Sequence, residues 1–239
     1  MTTCVRALAR LLDGAYGRRG WWPTTPAGAA EPVYDPRNPY RRKTDGEVVE
    51  IAVGAVLTQN TAWTNVRRAL AGLRAARLLS VAALRRAPTR AVERAIRPSG
   101  YFRAKTQKLR ALAEFLAANP PRALRRRDTA TLRAQFLGVH GIGPETADSI
   151  LCYAIDRPVV VADAYTRRIF GRLGVQPANT GYEGTRALAE AALPRRASAC
   201  NEFHARIVDL AKAHCRTVPV CGGCPARRLC RRIGVDDLN

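Results

Sequence analysis

Leu137-Gly138-Val139-His140-Gly141-Ile142-Gly143-Pro144-Glu145-Thr146-Ala147 places a Gly-x-Gly turn between two segments of helical pattern. The glycines permit backbone conformations that other residues avoid, and Pro144 suits the first position of the second helix. Backbone amides exposed at that helix N-terminus attract an anion. The stretch therefore predicts a helix, a hairpin and a second helix that hold a phosphate, although a plain structural turn uses the same glycines.

Apolar residues at helical spacing continue on both sides of this hairpin. Glu47–Leu73 has such a pattern, but its middle, Thr58–Thr61, is too polar for one buried helix, which predicts two helices that meet there. Short amphipathic helices are predicted for residues 78–96, 104–118 and 129–137. No segment alternates convincingly as a strand, and Val159–Val161 is a short apolar run that is either extended or helical. We expect an all-α fold.

The composition indicates a globular protein with a strongly basic surface. The chain has 239 residues, of which 47% are hydrophobic, enough to bury a core. Lys and Arg number 40 against 19 for Asp and Glu, so the formal net charge is +21. Clustered positive charge attracts polyanions such as nucleic acid. A compositional bias toward Arg and Ala would raise the charge without any function, so the motifs have to decide.

Cysteines crowd the C-terminal end of the chain. They follow the pattern C-x5-C-x2-C-x5-C, formed by Cys215, Cys221, Cys224 and Cys230. Free thiols so close together are prone to oxidation, so we expect a shared metal centre rather than disulfides. A structural zinc is the main alternative, but zinc sites usually pair two C-x2-C units and only the central pair has that spacing. The difference favours an iron-sulfur cluster.

Asp163 follows the run Val159–Val161 and lies twenty residues after Gly143. On its own, such an aspartate is an ordinary helix N-cap. The hairpin, the aspartate and the cysteines nevertheless occur in one order that resembles the endonuclease III superfamily of DNA glycosylases, the helix-hairpin-helix-GPD proteins. The resemblance extends from about Glu47 to Cys230.

This resemblance implies an architecture and a set of site residues. It implies a six-helix domain at residues 41–158, an iron-sulfur cluster domain formed by residues 1–40 with 159–239, and DNA in the cleft between them. Asp163 would be the catalytic residue, and the four cysteines would bind a 4Fe-4S cluster. Gly141, Gly143 and Thr146 of the hairpin would contact DNA. Lys105 is expected at a phosphate, and an exposed charged face is the equal alternative for it. The first cysteine gap is one residue shorter than in the family prototype, which leaves the cluster geometry open.

Glu145 stands where lyase-active members of this family carry a lysine, two residues after Gly143. A carboxylate cannot form the imine that an amine forms with the sugar, so the resemblance implies hydrolysis without strand cleavage. An acid there also suits the first turn of a helix. Asp163 would stabilise the oxocarbenium-like sugar or take a proton from the attacking water. Asp148 is the weaker candidate, expected to face solvent or to cap a helix.

Gln59 and Asn60, in the polar segment Leu57–Trp63, resemble the residues with which this family enters the duplex and fills the gap left by an extruded base. Their amides both donate and accept hydrogen bonds. A polar helix junction that bonds its own backbone is the alternative. The stretch Val53–Val56 lacks the glutamate of adenine-specific relatives, which disfavours unmodified adenine as a substrate.

Trp21, Trp22 and Trp63 are the tryptophans of the chain. They resemble the monofunctional 3-methyladenine DNA glycosylase branch of the superfamily, whose aromatic side chains enclose the alkylated purine. Alkylation makes the base cationic, and an indole face attracts a cation by about 0.5 to 2 kcal/mol. Ordinary core packing is the alternative for each of them. Tyr101 would add a rim to this base pocket.

We therefore expect a DNA glycosylase of base excision repair that releases damaged bases, alkylated purines above all, without AP lyase activity. Its partner would be double-stranded DNA with a damaged base, and its cofactor a 4Fe-4S cluster or, alternatively, zinc. Two other functions remain open: a glycosylase for uracil, mismatched or oxidised pyrimidines, and a DNA-damage-binding module without turnover. We expect a monomer. Since the sequence has no export signal or membrane span, we expect it in the cytoplasm, associated with the nucleoid.

Overall fold

The structure, a computed structural model, describes residues 1–37 and 40–235. Within those residues it is all-helical, with one isolated antiparallel bridge between Thr24 and Val33 and no longer strand, which confirms the predicted fold class. The α-helices are α1 Thr2–Tyr16, α2 Asp45–Leu57, α3 Trp63–Ala75, α4 Val81–Arg86, α5 Thr89–Ile96, α6 Phe102–Ala118, α7 Pro121–Leu124, α8 Thr129–Leu137, α9 Pro144–Ser149, α10 Ala164–Leu173, α11 Tyr182–Ala192 and α12 Ala197–Ala213. A 3-10 turn covers Arg97–Ser99, and a π-helical segment, Ile150–Ala154, continues α9. In the described part of the chain, every helix is too short or too polar to cross a lipid bilayer.

The helices form two compact units. The terminal unit consists mainly of Met1–Trp21 and the chain from Pro158 onward, with α1, α10, α11 and α12. The central unit consists of Trp22–Asp35 and Tyr40–Arg157, with α2 to α9. The boundary predicted from the sequence lies at residue 40, whereas Trp22–Asp35 packs with the central unit.

Helix α2 is the core of the central unit, because every residue from Val48 to Leu57 is buried. It begins at a capping box: the Thr44 hydroxyl accepts from the backbone N–H of Glu47, and the Glu47 carboxylate accepts from that of Thr44. Buried Glu50 accepts hydrogen bonds from the backbone N–H and the hydroxyl of Thr25. These bonds attach the segment before residue 40 to α2, which explains its place in the central unit.

The predicted break inside Glu47–Leu73 is confirmed, since α2 ends at Leu57 and α3 begins at Trp63. Residues 78–96 form two helices rather than one, because Pro88 interrupts the run and a second helix starts behind it. The apolar run Val159–Val161 is buried but forms neither helix nor strand. It leads directly into α10.

The terminal unit packs α1 against α11 and α12, and α10 against the same two helices. Helix α1 buries Val5, Leu8 and Leu12, which share one face at helical spacing. Helix α12 is buried along most of its length, from Cys200 to Ala211. It therefore offers side chains to both α1 and α10.

Candidate active site and DNA-contacting loops

The hairpin joins α8, which ends at Leu137, to α9, which begins at Pro144. Gly141 has a φ of 79°, and a Cβ added there would lie 2.6 Å from Cδ and 2.8 Å from Cε of Lys108. Gly143 has a φ of −90°, and the space around it is open. Glycine is therefore required at position 141, because the backbone is left-handed there and the Lys108 side chain leaves no space for a Cβ atom. Gly143, in contrast, leaves the backbone before α9 uncovered.

Gln59 binds the hairpin instead of projecting from the protein. Its Nε2 donates to the carbonyl of Gly141 at 3.0 Å and to Oγ1 of Thr146 at 2.9 Å, and its Oε1 accepts from Nζ of Lys108 at 2.6 Å. This geometry corrects two expectations. The Gln59 amide is already committed within the central unit, and Thr146, which is 6% exposed, supports Gln59 instead of facing DNA.

Asn60 is the exposed residue of the same turn, with a φ of 51°. Tyr101 is 73% exposed and has a φ of 45°. A hydrogen bond from the Thr61 hydroxyl to the carbonyl of Ser99 joins the two turns that carry them. Left-handed backbone is uncommon outside glycine and often marks functional loops. The central unit thus presents Asn60 and Tyr101 to solvent from two connected turns.

Lys105 is buried, with 2% of its surface exposed, and its ammonium group joins these two turns. Its Nζ donates to the carbonyls of Leu57 and Ser99 at 2.8 and 2.7 Å and to the Thr61 hydroxyl at 2.7 Å. Burial and the positive charge of Lys108 lower the pKa of Lys105 to about 8. The expected phosphate contact is corrected, because all three protons of this ammonium are used inside the protein.

Trp22 and Trp63 meet in the central unit with their ring centroids 5.2 Å apart in an edge-to-face arrangement. Tyr153 lies against Trp22 at the same centroid distance. The Trp22 indole also covers Gly54, where an added Cβ would come within 3.2 Å of the ring. Trp22 is 7% exposed and largely encased, whereas Trp63 is half-buried. Trp63 therefore has the more accessible ring of this pair.

The acids of α9 differ sharply in exposure. Glu145 is exposed in the first turn, where the helix dipole favours a carboxylate. Asp148 is fully buried, and the Arg133 guanidinium binds its two oxygens at 2.7 and 3.1 Å. The expectation that Asp148 faces solvent or caps a helix is wrong. A carboxylate sealed in a bidentate ion pair cannot reach a nucleotide.

Asp163 caps α10 in the terminal unit. Its Oδ1 accepts from the backbone N–H and the hydroxyl of Thr166 at 2.9 and 3.0 Å, and its Oδ2 lies 3.4 Å from Nε2 of His204. Burial raises the pKa of this carboxyl, but His204 and Thr166 lower it by more, so the pKa lies below its usual value. The side chain keeps 15% exposure. Asp163 is therefore an ionised carboxylate with a small open face.

His204 is a neighbour that the sequence analysis missed. It is 6% exposed on α12, and its ring meets Trp21 edge to face at a centroid distance of 6.1 Å. Trp21 is half-buried and belongs to the terminal unit, whereas Trp22 and Trp63 belong to the central unit. The one available signal was scarcity, since the chain has three histidines.

The four cysteines line one cavity of the terminal unit, together with apolar side chains such as Leu210 and Val220. Burial raises the pKa of Cys224 and Cys230, and the other thiols of the group raise it further, as expected when thiolates lie close together. An Arg172 N–H lies 3.3 Å from Sγ of Cys215. Within residues 1–37 and 40–235, no three His, Cys, Asp or Glu side chains converge tightly enough to bind one metal ion.

The region that contains the hairpin and Asp163 matches a known protein family. The profile of the HhH-GPD superfamily base excision DNA repair proteins matches residues 53–195, from α2 through the hairpin and Asp163 to the end of α11. The chain belongs to the HhH-GPD superfamily. A curated relative from Methanocaldococcus jannaschii, named as a DNA repair glycosylase, is 36% identical over 225 residues, which are 92% of this chain and 93% of that protein. The family and this relative assign the chain to the DNA glycosylases of base excision repair.

Solved structures with the HhH-GPD fold match nearly the whole chain. A trapped endonuclease III–DNA covalent intermediate has a TM-score of 0.73 at 18% identity, covering 97% of this chain and 96% of that one. Helicobacter pylori 3-methyladenine DNA glycosylase bound to 1,N6-ethenoadenine has a TM-score of 0.69 at 22% identity, covering 87% and 97%. A thermostable thymine-DNA glycosylase has 0.71 at 17% identity, covering 96% of both chains. These names span several substrates, so the shared fold does not select one.

Proposed function

We propose that this HhH-GPD protein is a monofunctional DNA glycosylase that hydrolyses the N-glycosidic bond of a damaged base extruded from duplex DNA. The observation that carries the proposal is Asp163, an ionised carboxylate whose two oxygens are oriented by Thr166 and His204 while part of the side chain stays open. As the base departs, positive charge develops on the deoxyribose, and a fixed carboxylate stabilises it.

The lowered pKa of Asp163 favours electrostatic stabilisation over proton abstraction. A carboxylate that already accepts hydrogen bonds and keeps a low pKa is a weak base toward water. Its negative charge, in contrast, is available at every pH near neutrality. Asp163 would therefore act chiefly on the cationic sugar, and water would add as the base leaves.

Three residues at or near the hairpin offer no free amine nucleophile, which supports hydrolysis. Glu145 occupies the hairpin position that carries lysine in lyase-active members of the family. Lys105 is buried and bound to three oxygens, and Lys108 is bound to Gln59. A Schiff base needs a free amine at the sugar, which none of these residues offers.

We assign contact with the DNA to Asn60 and Tyr101 in the central unit, with the uncovered backbone at Gly143 as the phosphate contact. Asn60 retains the predicted role of filling the gap in the duplex, and Gln59 supports the hairpin beneath it. A planar Tyr101 ring suits stacking on an unpaired base. The net charge of +21 attracts the backbone phosphates.

The proposed substrate is an alkylated purine. Trp63, in the central unit, is half-buried, and its ring would attract a cationic base. A cationic base also leaves without strong protonation. Trp63→Leu is expected to reduce release of cationic bases more than release of neutral ones.

We also propose that Cys215, Cys221, Cys224 and Cys230 bind a 4Fe-4S cluster. A shared apolar cavity lined by the four cysteines fits such a group, because bound metal replaces the thiol protons and stabilises the thiolates. In a cluster each thiolate binds its own iron atom, so the four sulfurs need not converge on one point. The cluster would supply structure to the loop.

The testing experiment is base release from a panel of duplexes, each with one damaged base, assayed with and without alkali. Release of alkylated purines, with strand breaks only after alkali, is the expected result. Release of uracil or oxidised pyrimidines alone would replace the substrate class, and breaks without alkali or a borohydride-trapped adduct would refute the monofunctional chemistry. Binding without any release would leave a damage-binding module.

A further inference from the structure

The Asp163 carboxylate is held from two helices. Thr166, in the first turn of α10, binds Oδ1 in the manner of an ordinary N-cap. His204, on α12, faces Oδ2 at 3.4 Å. The cap alone explains the first contact, but a helix N-cap needs no histidine from a second helix.

The imidazole of His204 is itself held in place by the segment that follows α1. On α12, Asn201 Nδ2 donates to the carbonyl of Trp21 at 2.7 Å, and Glu202 accepts from the backbone N–H of Arg19 at 2.9 Å. These bonds position Trp21 so that its ring meets the imidazole edge to face. The His204 ring therefore lies between an aromatic ring and the carboxylate.

We propose that His204 is a positioning residue for Asp163, one that fixes the second carboxylate oxygen and keeps its open face toward the sugar. This inference rests on the proposed glycosylase function. An N–H at Nε2 of His204 lies within ion-pair distance of Oδ2, at 3.4 Å, and the contact with Trp21 limits rotation of the ring. Without that donor, Oδ2 has no anchor on α12, and the carboxylate turns about its cap bonds.

Two substitutions separate positioning from packing. His204→Gln keeps an N–H donor at a similar reach from the backbone, whereas His204→Leu fills the space without a donor. Cys200→Ala is the matched control, because Cys200 is buried one turn earlier on α12 and burial raises the pKa of its thiol to about 12, so it is chemically silent. His204→Asn serves as a shorter amide that stays polar but does not reach Oδ2.

The experiment is single-turnover base release from a duplex that the wild-type enzyme processes, with binding measured on a duplex carrying an uncleavable abasic analogue. His204→Leu is expected to slow release by about tenfold or more while the dissociation constant stays within about twofold. His204→Gln is expected to release base within about threefold of wild type, as Cys200→Ala does. In an Asp163→Asn background, His204→Leu should cause no further loss.

The outcomes distinguish failure of this inference from failure of the proposed function. A wild-type enzyme that releases no base from any duplex refutes the function. An active wild type with a His204→Leu variant of equal rate, or with equal losses in the Leu and Gln variants, refutes the positioning role alone. If the Leu variant does not fold in thermal melting, the Asn variant decides: a normal rate there overturns the inference.

Discussion

Two aspartates of this chain cap helices in the same way, and they provide a matched test of the proposed chemistry. Asp163 caps α10 and accepts from the Thr166 N–H at 2.9 Å, and Asp128 caps α8 and accepts from the Thr131 N–H at 2.9 Å. Asp163 also has a histidine, His204, at its second oxygen. Asp→Asn at each position therefore separates the cap from the catalytic charge.

The effect of Asp163→Asn on stability should be small. Asn caps a helix about as well as Asp, whereas alanine at a cap costs about 0.5 to 2 kcal/mol. The Asn variant additionally loses the attraction to His204, about 1 kcal/mol for a partly buried pair. Natural domains unfold at about 5 to 15 kcal/mol, so the variant remains folded. Asp128→Asn changes an exposed cap and should also fold normally.

The effect on base release should be large at one position only. Removing a preorganised group that stabilises transition-state charge costs about 100- to 1,000-fold in rate, or about 2.7 to 4 kcal/mol. Asp163→Asn should lose that much, because the amide carries no charge to place opposite the sugar cation. Asp128→Asn should release base at the wild-type rate.

The assay is single-turnover release from a duplex with one alkylated purine, developed with alkali, alongside thermal melting and duplex binding. Folded Asp163→Asn that binds DNA and keeps more than about a tenth of the wild-type rate would refute the assignment. An equal loss in Asp128→Asn would show that capping, and not charge, was responsible.

Gly141→Ala should weaken binding to any duplex and lower the free energy of unfolding by about 1 to 2 kcal/mol, because alanine is strained in left-handed backbone and would displace the Lys108 side chain. Gly143→Ala places its methyl group in open space and should keep the wild-type melting temperature. Equal destabilisation by the two substitutions would contradict this prediction. Since the pKa of Asp163 is lowered on folding, its ionised form stabilises the protein above about pH 4 and that contribution fades as the pH falls further. Asp163→Asn should therefore show a flatter melting temperature between about pH 5 and 3, and parallel curves would contradict the shift. Cys224→Ser should lower the iron and sulfide content of the purified protein, with Cys200→Ala as control, whereas a wild type with stoichiometric zinc and no iron would reverse the cofactor assignment.

Local features of the candidate site could be predicted from the sequence. The hairpin glycines, the N-cap at Asp163 and the break between α2 and α3 depend on residues that lie within one helical turn of each other. Glu145 at the start of α9 follows from the same local physics. Such features have a readable pattern because the interacting groups are close along the chain.

Residues whose partners come from other helices or turns were harder to place. Lys105 was expected at a phosphate, but it is buried and donates to the carbonyl of Leu57, 48 residues away at the end of α2. Asp148 was expected near solvent, but it pairs with Arg133 of α8. Gln59 was expected in the duplex, but its partners lie 49, 82 and 87 residues away. Composition and spacing do not predict which distant partner a side chain contacts.

The sequence by itself determined an all-helical chain with a glycine hairpin, a capping aspartate and a cysteine-rich end, in the order that marks the HhH-GPD superfamily. Only the tertiary structure decided that Asp163 meets His204, that Asp148 is sealed, and that Asn60 rather than Gln59 is exposed. The physical reason is separation: helix periodicity and capping act over a few residues, whereas these contacts depend on how distant helices pack.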